Sequence, residues 1–162
     1  GIRMDFLKFS GKELVDIAMT IEEKGEQLYR RLAAKIEDRQ LTELFFVLAE
    51  EEKQHRADFA KLGENLANPA IWESYAGEYE DYLRTLVDTH LLVKAENADE
   101  LLAKVTNAAQ ALELAINFEK DSLLIFIELA NMVKESDKEV VSKLITAEQH
   151  HLARLKKILA GF

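Results

Sequence analysis

A chain of 162 residues with 48% apolar side chains can bury one sizeable core, and a single domain over residues 1–162 is expected. Its formal net charge of −9 opposes the wrapping of a polyphosphate backbone, so nucleic acid is not an expected partner. With no cysteine there are no disulfides, thiolate nucleophiles or iron–sulfur clusters, and any metal must be held by nitrogen and oxygen.

A single proline and six glycines, against abundant Ala, Leu, Glu and Lys, favour long helices and an all-α fold. The most apolar stretch, Ser122 to Ala130, is short and interrupted by Glu128, and the N-terminus lacks a signal-peptide pattern. No membrane partner and a cytoplasmic location are therefore expected.

The first long helix is predicted over about residues 11–36, opened by a capping box of Ser10 and Glu13 and carrying Leu14, Ile17, Ile21, Leu28 and Leu32 inward. Asp38 caps the second, about 39–63, whose stripe of Leu41, Phe45, Leu48, Phe59 and Leu62 ends at Gly63, read as a left-handed cap. A long crossover, 64–106, follows. It is partly helical: Trp72, Tyr75, Tyr79, Tyr82 and Leu86 recur at helical spacing and are read as packing against the bundle, and Asn97 with Glu100 caps a short segment through Val105. The third long helix, about 108–133, opens with Asn107 and Gln110; the fourth, about 137–160, opens with Ser136 and Glu139. Short joints within each pair force two antiparallel hairpins, and the crossover is long enough to run the length of a four-helix bundle.

The two halves repeat. Ile17 to Ala33 overlays Leu114 to Ala130, placing Ala18 on Ala115, Glu22 on Glu119, Tyr29 on Phe126 and Leu32 on Leu129, an offset of 97 residues. In the second helix of each half, Glu52 and His55 fall on Glu148 and His151, an offset of 96. Equivalent residues of two such hairpins face each other across an approximate two-fold axis.

These residues interrupt the apolar stripes. Glu22, Glu119, Glu52, His55, Glu148 and His151 all occupy inward positions by three- and four-residue spacing. Four carboxylates and two imidazoles at one level of a core are costly unless cations balance them, and no Lys or Arg lies on the same stripes. Two divalent ions would cancel the four negative charges. One glutamate from each of two helices plus a Glu-x-x-His pair from each of the other two is the ligand set of ferritin-like di-iron proteins. Glu22 and Glu119 are expected to bridge, with Glu52 and His55 completing one ion and Glu148 and His151 the other. Glu51 also precedes His55 at ligand spacing, but its repeat counterpart is Ala147, so Glu52 is the ligand. Glu51, Glu50 and Glu23 are read as a solvated face, His150 as solvent-facing, and His90, without an acidic partner, as a surface or packing residue.

At Glu22-x-x-Gly25-x-x-x-Tyr29 and Ala49 to His55 the chain resembles the rubrerythrin branch of the ferritin-like superfamily, and the likeness covers all four long helices. The resemblance implies a ferritin-like four-helix bundle with two iron ions reacting with hydrogen peroxide or dioxygen, in a homodimer, with Tyr29 as the family's tyrosine beside the metals. It also implies a part in the response to oxidative stress. Rubrerythrins commonly add a cysteine-ligated rubredoxin iron site; a chain without cysteine cannot hold one, so an external electron donor is implied. Ile116 stands where the family has an additional glutamate and Phe126 where it has a second tyrosine, leaving a symmetric six-ligand site. Ferritin cages share the ligands but have an extended crossover and a fifth helix after the fourth, which this sequence does not continue into. A ferroxidase or iron-handling role is the alternative to peroxidase or oxidase activity. A third is a metal-binding module with Mn or Zn, since glutamate and histidine accept all three metals.

Overall fold

The computed structural model describes residues 11–64, 77–93, 98–133 and 135–162. Six α-helices occur among them: α1 Gly11–Lys35, α2 Arg39–Glu64, α3 Glu78–Thr89, α4 Ala98–Ala103, α5 Ala108–Ala130 and α6 Lys138–Leu159. Helices α1 and α2 form one antiparallel hairpin and α5 and α6 the other, with α1 against α5 and α2 against α6. Leu14, Ile21, Leu32, Phe45, Leu48 and Phe59 from the first hairpin meet Leu112, Ile125, Phe126, Val141 and Leu155 from the second in a core that excludes water almost completely. No described helix is long and apolar enough to cross a membrane.

Side-chain caps set two of the helix starts. The Asp38 carboxylate accepts from Leu41 N–H at 3.0 Å, and Asn107 accepts from Gln110 N–H at 2.9 Å, each satisfying an amide the first turn leaves free. The Gln110 side chain turns to the Thr106 amide and hydroxyl. The capping box at Ser10 lies outside the described residues. The fourth long helix departs from expectation, because Ser136 sits inside a 3₁₀ turn, Glu135–Asp137, and α6 begins only at Lys138. Gly63 is not a left-handed cap either. It is helical, within 3.0 Å of the Val15 side chain for any added Cβ, so the glycine serves close approach of α2 to α1.

The crossover packs on the second hairpin. Helix α3 lies against α5, with Leu83 buried and the Tyr79 hydroxyl donating to Glu128 at 2.7 Å. Tyr82, expected on the same packed stripe, is 43% exposed. Trp72, Tyr75 and Asn97 lie outside the described residues. Leu91 N–H donates to Asp121, and His90 anchors the end of α3. Its Nδ1 accepts from the Leu92 and Val93 amides, which leaves Nε2–H to donate to the Ser122 hydroxyl at 3.0 Å. Buried at 4% exposure, His90 is a packing residue, and burial pushes its pKa down to about 4.

Candidate metal centre

All four long helices bring a glutamate to one level of the core. Glu22 comes from α1, Glu52 from α2, Glu119 from α5 and Glu148 from α6, and none is more than 1% exposed. His55 and His151, one turn after Glu52 and Glu148, reach the same level. Their rings stack with centroids 5.9 Å apart. All six residues singled out in the sequence therefore meet in space.

The six divide into two overlapping groups able to surround an ion, with donor atoms all within 4.8 Å of one another. One group is Glu22, Glu52, His55 and Glu148; the other is Glu52, Glu119, Glu148 and His151. Glu52 and Glu148 belong to both. Glu22 and Glu119, expected to bridge, each belong to one group, and the carboxylates common to both groups are those of the Glu-x-x-His pairs. The pairing across helices differs too, since His55 Nδ1 lies 2.9 Å from Glu148 and 3.6 Å from Glu22, while His151 Nδ1 faces Glu52, Glu148 and Glu119 at 3.2, 3.4 and 3.6 Å.

Several polar atoms here lack partners. Both oxygens of Glu22, one each of Glu52, Glu119 and Glu148, and Nδ1 of His151 are buried without a hydrogen bond. Apart from an Asp137 oxygen, they are all the buried unpartnered side-chain atoms among the described residues. Natural interiors tolerate few such atoms, because each costs about 1–3 kcal/mol unsatisfied and more when charged. Donors and lone pairs concentrated at one point and turned toward each other fit a pair of cations.

The electrostatics agree. Burial, joined by repulsion from neighbouring carboxylates, holds Glu22, Glu52 and Glu119 well above the usual carboxylate range. Burial also acts against ionised Glu148, but the neighbouring Glu119 carboxyl and the two histidines outweigh that and hold it low. His151 is raised because its carboxylate neighbours overcome the desolvation that would lower it. The metal-free site is therefore kept from full ionisation by protons, which cations would displace.

Three residues around the cluster have roles that spacing alone did not show. Tyr29, fully buried, donates its hydroxyl to Glu119 Oε1 at 2.5 Å. Glu51, taken as part of a solvated face, lies 2.5 Å from His151 Nε2. The signal available was its place one residue before Glu52, at the edge of the inward stripe. Gly25 leaves room for the site. A Cβ there would come within 2.9 Å of Phe118 Cζ and 3.3 Å of Glu52 Oε2. Phe118 cannot swing away easily, since it is buried edge-on to both Tyr29 and His90. The change Gly25→Ala gains about 1 kcal/mol of helix propensity but incurs about 1–3 kcal/mol of overpacking. A lowered denaturant midpoint and weaker metal uptake are expected, and an unchanged midpoint would mean that the Phe118 ring yields.

His150 is exposed at the rim of an opening of about 290 Å³ floored by His55 and His151. Glu23 and Glu50 are exposed as expected, and Glu50 pairs with Arg30 at 2.6 Å.

An all-helical bundle with a buried glutamate–histidine cluster supplied by all four long helices defines the class of ferritin-like carboxylate proteins. A family model described as rubrerythrin matches residues 13–159, and the chain belongs to that family. Among solved structures, the fold is similar to a Thermotoga maritima protein described as a ferritin-like diiron-carboxylate protein. The TM-score is 0.69 at 24% identity, covering 94% of this chain and 95% of that one. A search of curated proteins gave no match.

Proposed function

We propose that Glu22, Glu52, His55, Glu119, Glu148 and His151 hold two iron ions and that the protein reduces hydrogen peroxide, or dioxygen, at this centre. The observation that carries the reading is the convergence of unpartnered buried oxygens and an imidazole nitrogen on one point of the core. Glu52 and Glu148, common to both ligand groups, would be shared by the two ions, with Glu22 and His55 completing one ligand set and Glu119 and His151 the other. A pair of ferrous ions held there would supply the two electrons needed to reduce one peroxide O–O bond.

The chain's own residues do the rest. The buried Leu, Ile and Phe side chains around the cluster keep water from it. Tyr29 holds Glu119 by its hydroxyl and stands as the phenol adjoining the reacting centre. The opening above His55 and His151 admits a molecule the size of peroxide. Electrons that restore the ferrous state come from a donor outside these 162 residues, which contain no cysteine to hold a rubredoxin-type iron.

Stopped-flow mixing of anaerobic, iron-loaded protein with peroxide tests this reading. Ferric absorption should appear orders of magnitude faster than for free Fe²⁺ under the same conditions. Oxidation no faster than in buffer would leave a metal-binding module, with Mn or Zn as candidate ions. Oxidation rapid with dioxygen alone and accompanied by iron accumulation would favour the ferroxidase reading.

A further inference from the structure

The repeat that builds the centre is broken in the residues that support its ligands, and both breaks fall on the same side. Tyr29 on α1 donates to Glu119 on α5. Its repeat counterpart, Phe126, stands where a donor to Glu22 would be and has no hydroxyl. Glu51 on α2 is bonded to His151 on α6. Its counterpart, Ala147, stands on α6 in the wall of the same opening as His55 and has no carboxylate.

The consequences can be read atom by atom. Glu119 has one oxygen fixed by the phenol and one free, whereas both oxygens of Glu22 are without a partner. His151 has its outer nitrogen fixed by a half-exposed carboxylate, with Nδ1 turned to the cluster. A second carboxylate on the outer nitrogen fixes the imidazole orientation and makes it a more basic ligand. His55 has no such carboxylate, and its side chain is the more exposed of the two, 11% against 7%.

We infer that the two metal positions are unequal: the Glu119–His151 position is the tight, anchored one, and the Glu22–His55 position is the weaker one, exchanging its ion through the opening beside Ala147. This rests on the dimetal reading above. Glu51 is then a positioning residue that acts through His151, and Tyr29 one that acts through Glu119.

Stepwise titration of the metal-free protein with Co²⁺, followed by calorimetry and by the visible absorption of the bound ion, separates the possibilities. The wild type should take up two ions with affinities at least about tenfold apart. Glu51→Ala should weaken the tighter step by about 10–100-fold and leave the other nearly unchanged, and Tyr29→Phe should act in the same direction. Ala147→Glu should strengthen the weaker step, bringing the two affinities together. Glu51 is 48% exposed on its side chain, so its removal leaves the core intact. Equal weakening of both steps by Glu51→Ala, or no change in either while two ions still bind, would overturn the inference and leave the dimetal reading standing. Failure of the wild type to bind a pair of ions would overturn both.

Discussion

Replacing Glu52 or Glu148 with alanine is expected to empty the centre of both ions, whereas replacing Glu22 or Glu119 should remove only one. Glu52 and Glu148 lie in both ligand groups, and on the proposed reading their negative charge would screen two cations that otherwise repel each other strongly at short range in a low-dielectric core. Losing one leaves each ion a donor short and the pair poorly screened. Losing Glu119 leaves Glu22, Glu52, His55 and Glu148 intact around the other ion. Metal analysis after anaerobic loading should therefore give close to wild-type content for a His150→Ala control, about half for Glu119→Ala, and less than about a tenth for Glu52→Ala. Circular dichroism of each metal-free variant checks that the helices remain, so that loss of metal is read apart from unfolding. Equal metal content across these variants would mean that the centre has been misplaced.

The second large effect is on the stability of the metal-free protein. Glu22, Glu52 and Glu119 have raised folded pKa values, so the protonated form that they favour is ordinary in the unfolded chain only below about pH 4.3. As pH rises above that value the folded protein binds more protons than the unfolded one. Stability then falls until the folded values are passed. His151 is also raised, and its contribution, complete below about pH 6.5, is lost as pH climbs from there through its folded value. Two groups pull the other way at lower pH. Glu148, held low, loses its contribution only as pH falls through its folded value, and His90, at about 4, is destabilising as pH falls below 6.5. Above about pH 6.5 both opposing contributions are complete, so every shifted group at the site acts in one direction.

Thermal melts of metal-free protein between about pH 6.5 and pH 8 should accordingly show a fall of at least about 5 °C, since about 1 kcal/mol moves Tm by 2–4 °C in a chain of this size. Loading with metal should abolish most of that fall, because cations take the place of the protons. A metal-free Tm that rises or stays level over this interval would contradict the buried-carboxylate account.

Much of this was legible in the sequence because the repeat marks equivalent positions. A lone Glu-x-x-His on a charged helix says little, but two of them, each matched with an inward glutamate in the same half, specify which residues meet. What spacing could not supply was which carboxylate spans the gap between two ions. In the structure the carboxylates common to both candidate groups are those of Glu52 and Glu148. The Ala147 counterpart speaks against Glu51 as a ligand but carries no information on a carboxylate that reaches His151 from outside the cluster. The anchoring of His90 was hidden for a similar reason, since its partners are two backbone amides and a serine that no motif flags. Gly63 followed packing against Val15 over its capping preference, and tertiary contact decided the matter.

The Gly25 and Ser122 positions, equivalent in the repeat, have come to do unlike things. At one, the missing side chain admits the Phe118 ring toward Glu52; at the other, a hydroxyl donates to the Phe118 carbonyl and receives the bond from His90 that ties down the end of α3. A chain built from two copies of the first hairpin would therefore not be a simpler version of this protein. It would place Ile21 where Phe118 stands, leaving a void over Gly25, and a second glycine where Ser122 stands, leaving His90 nothing to bond to. The halves are alike in their ligands, but the present molecule depends on the differences between them, and neither half is a substitute for the other.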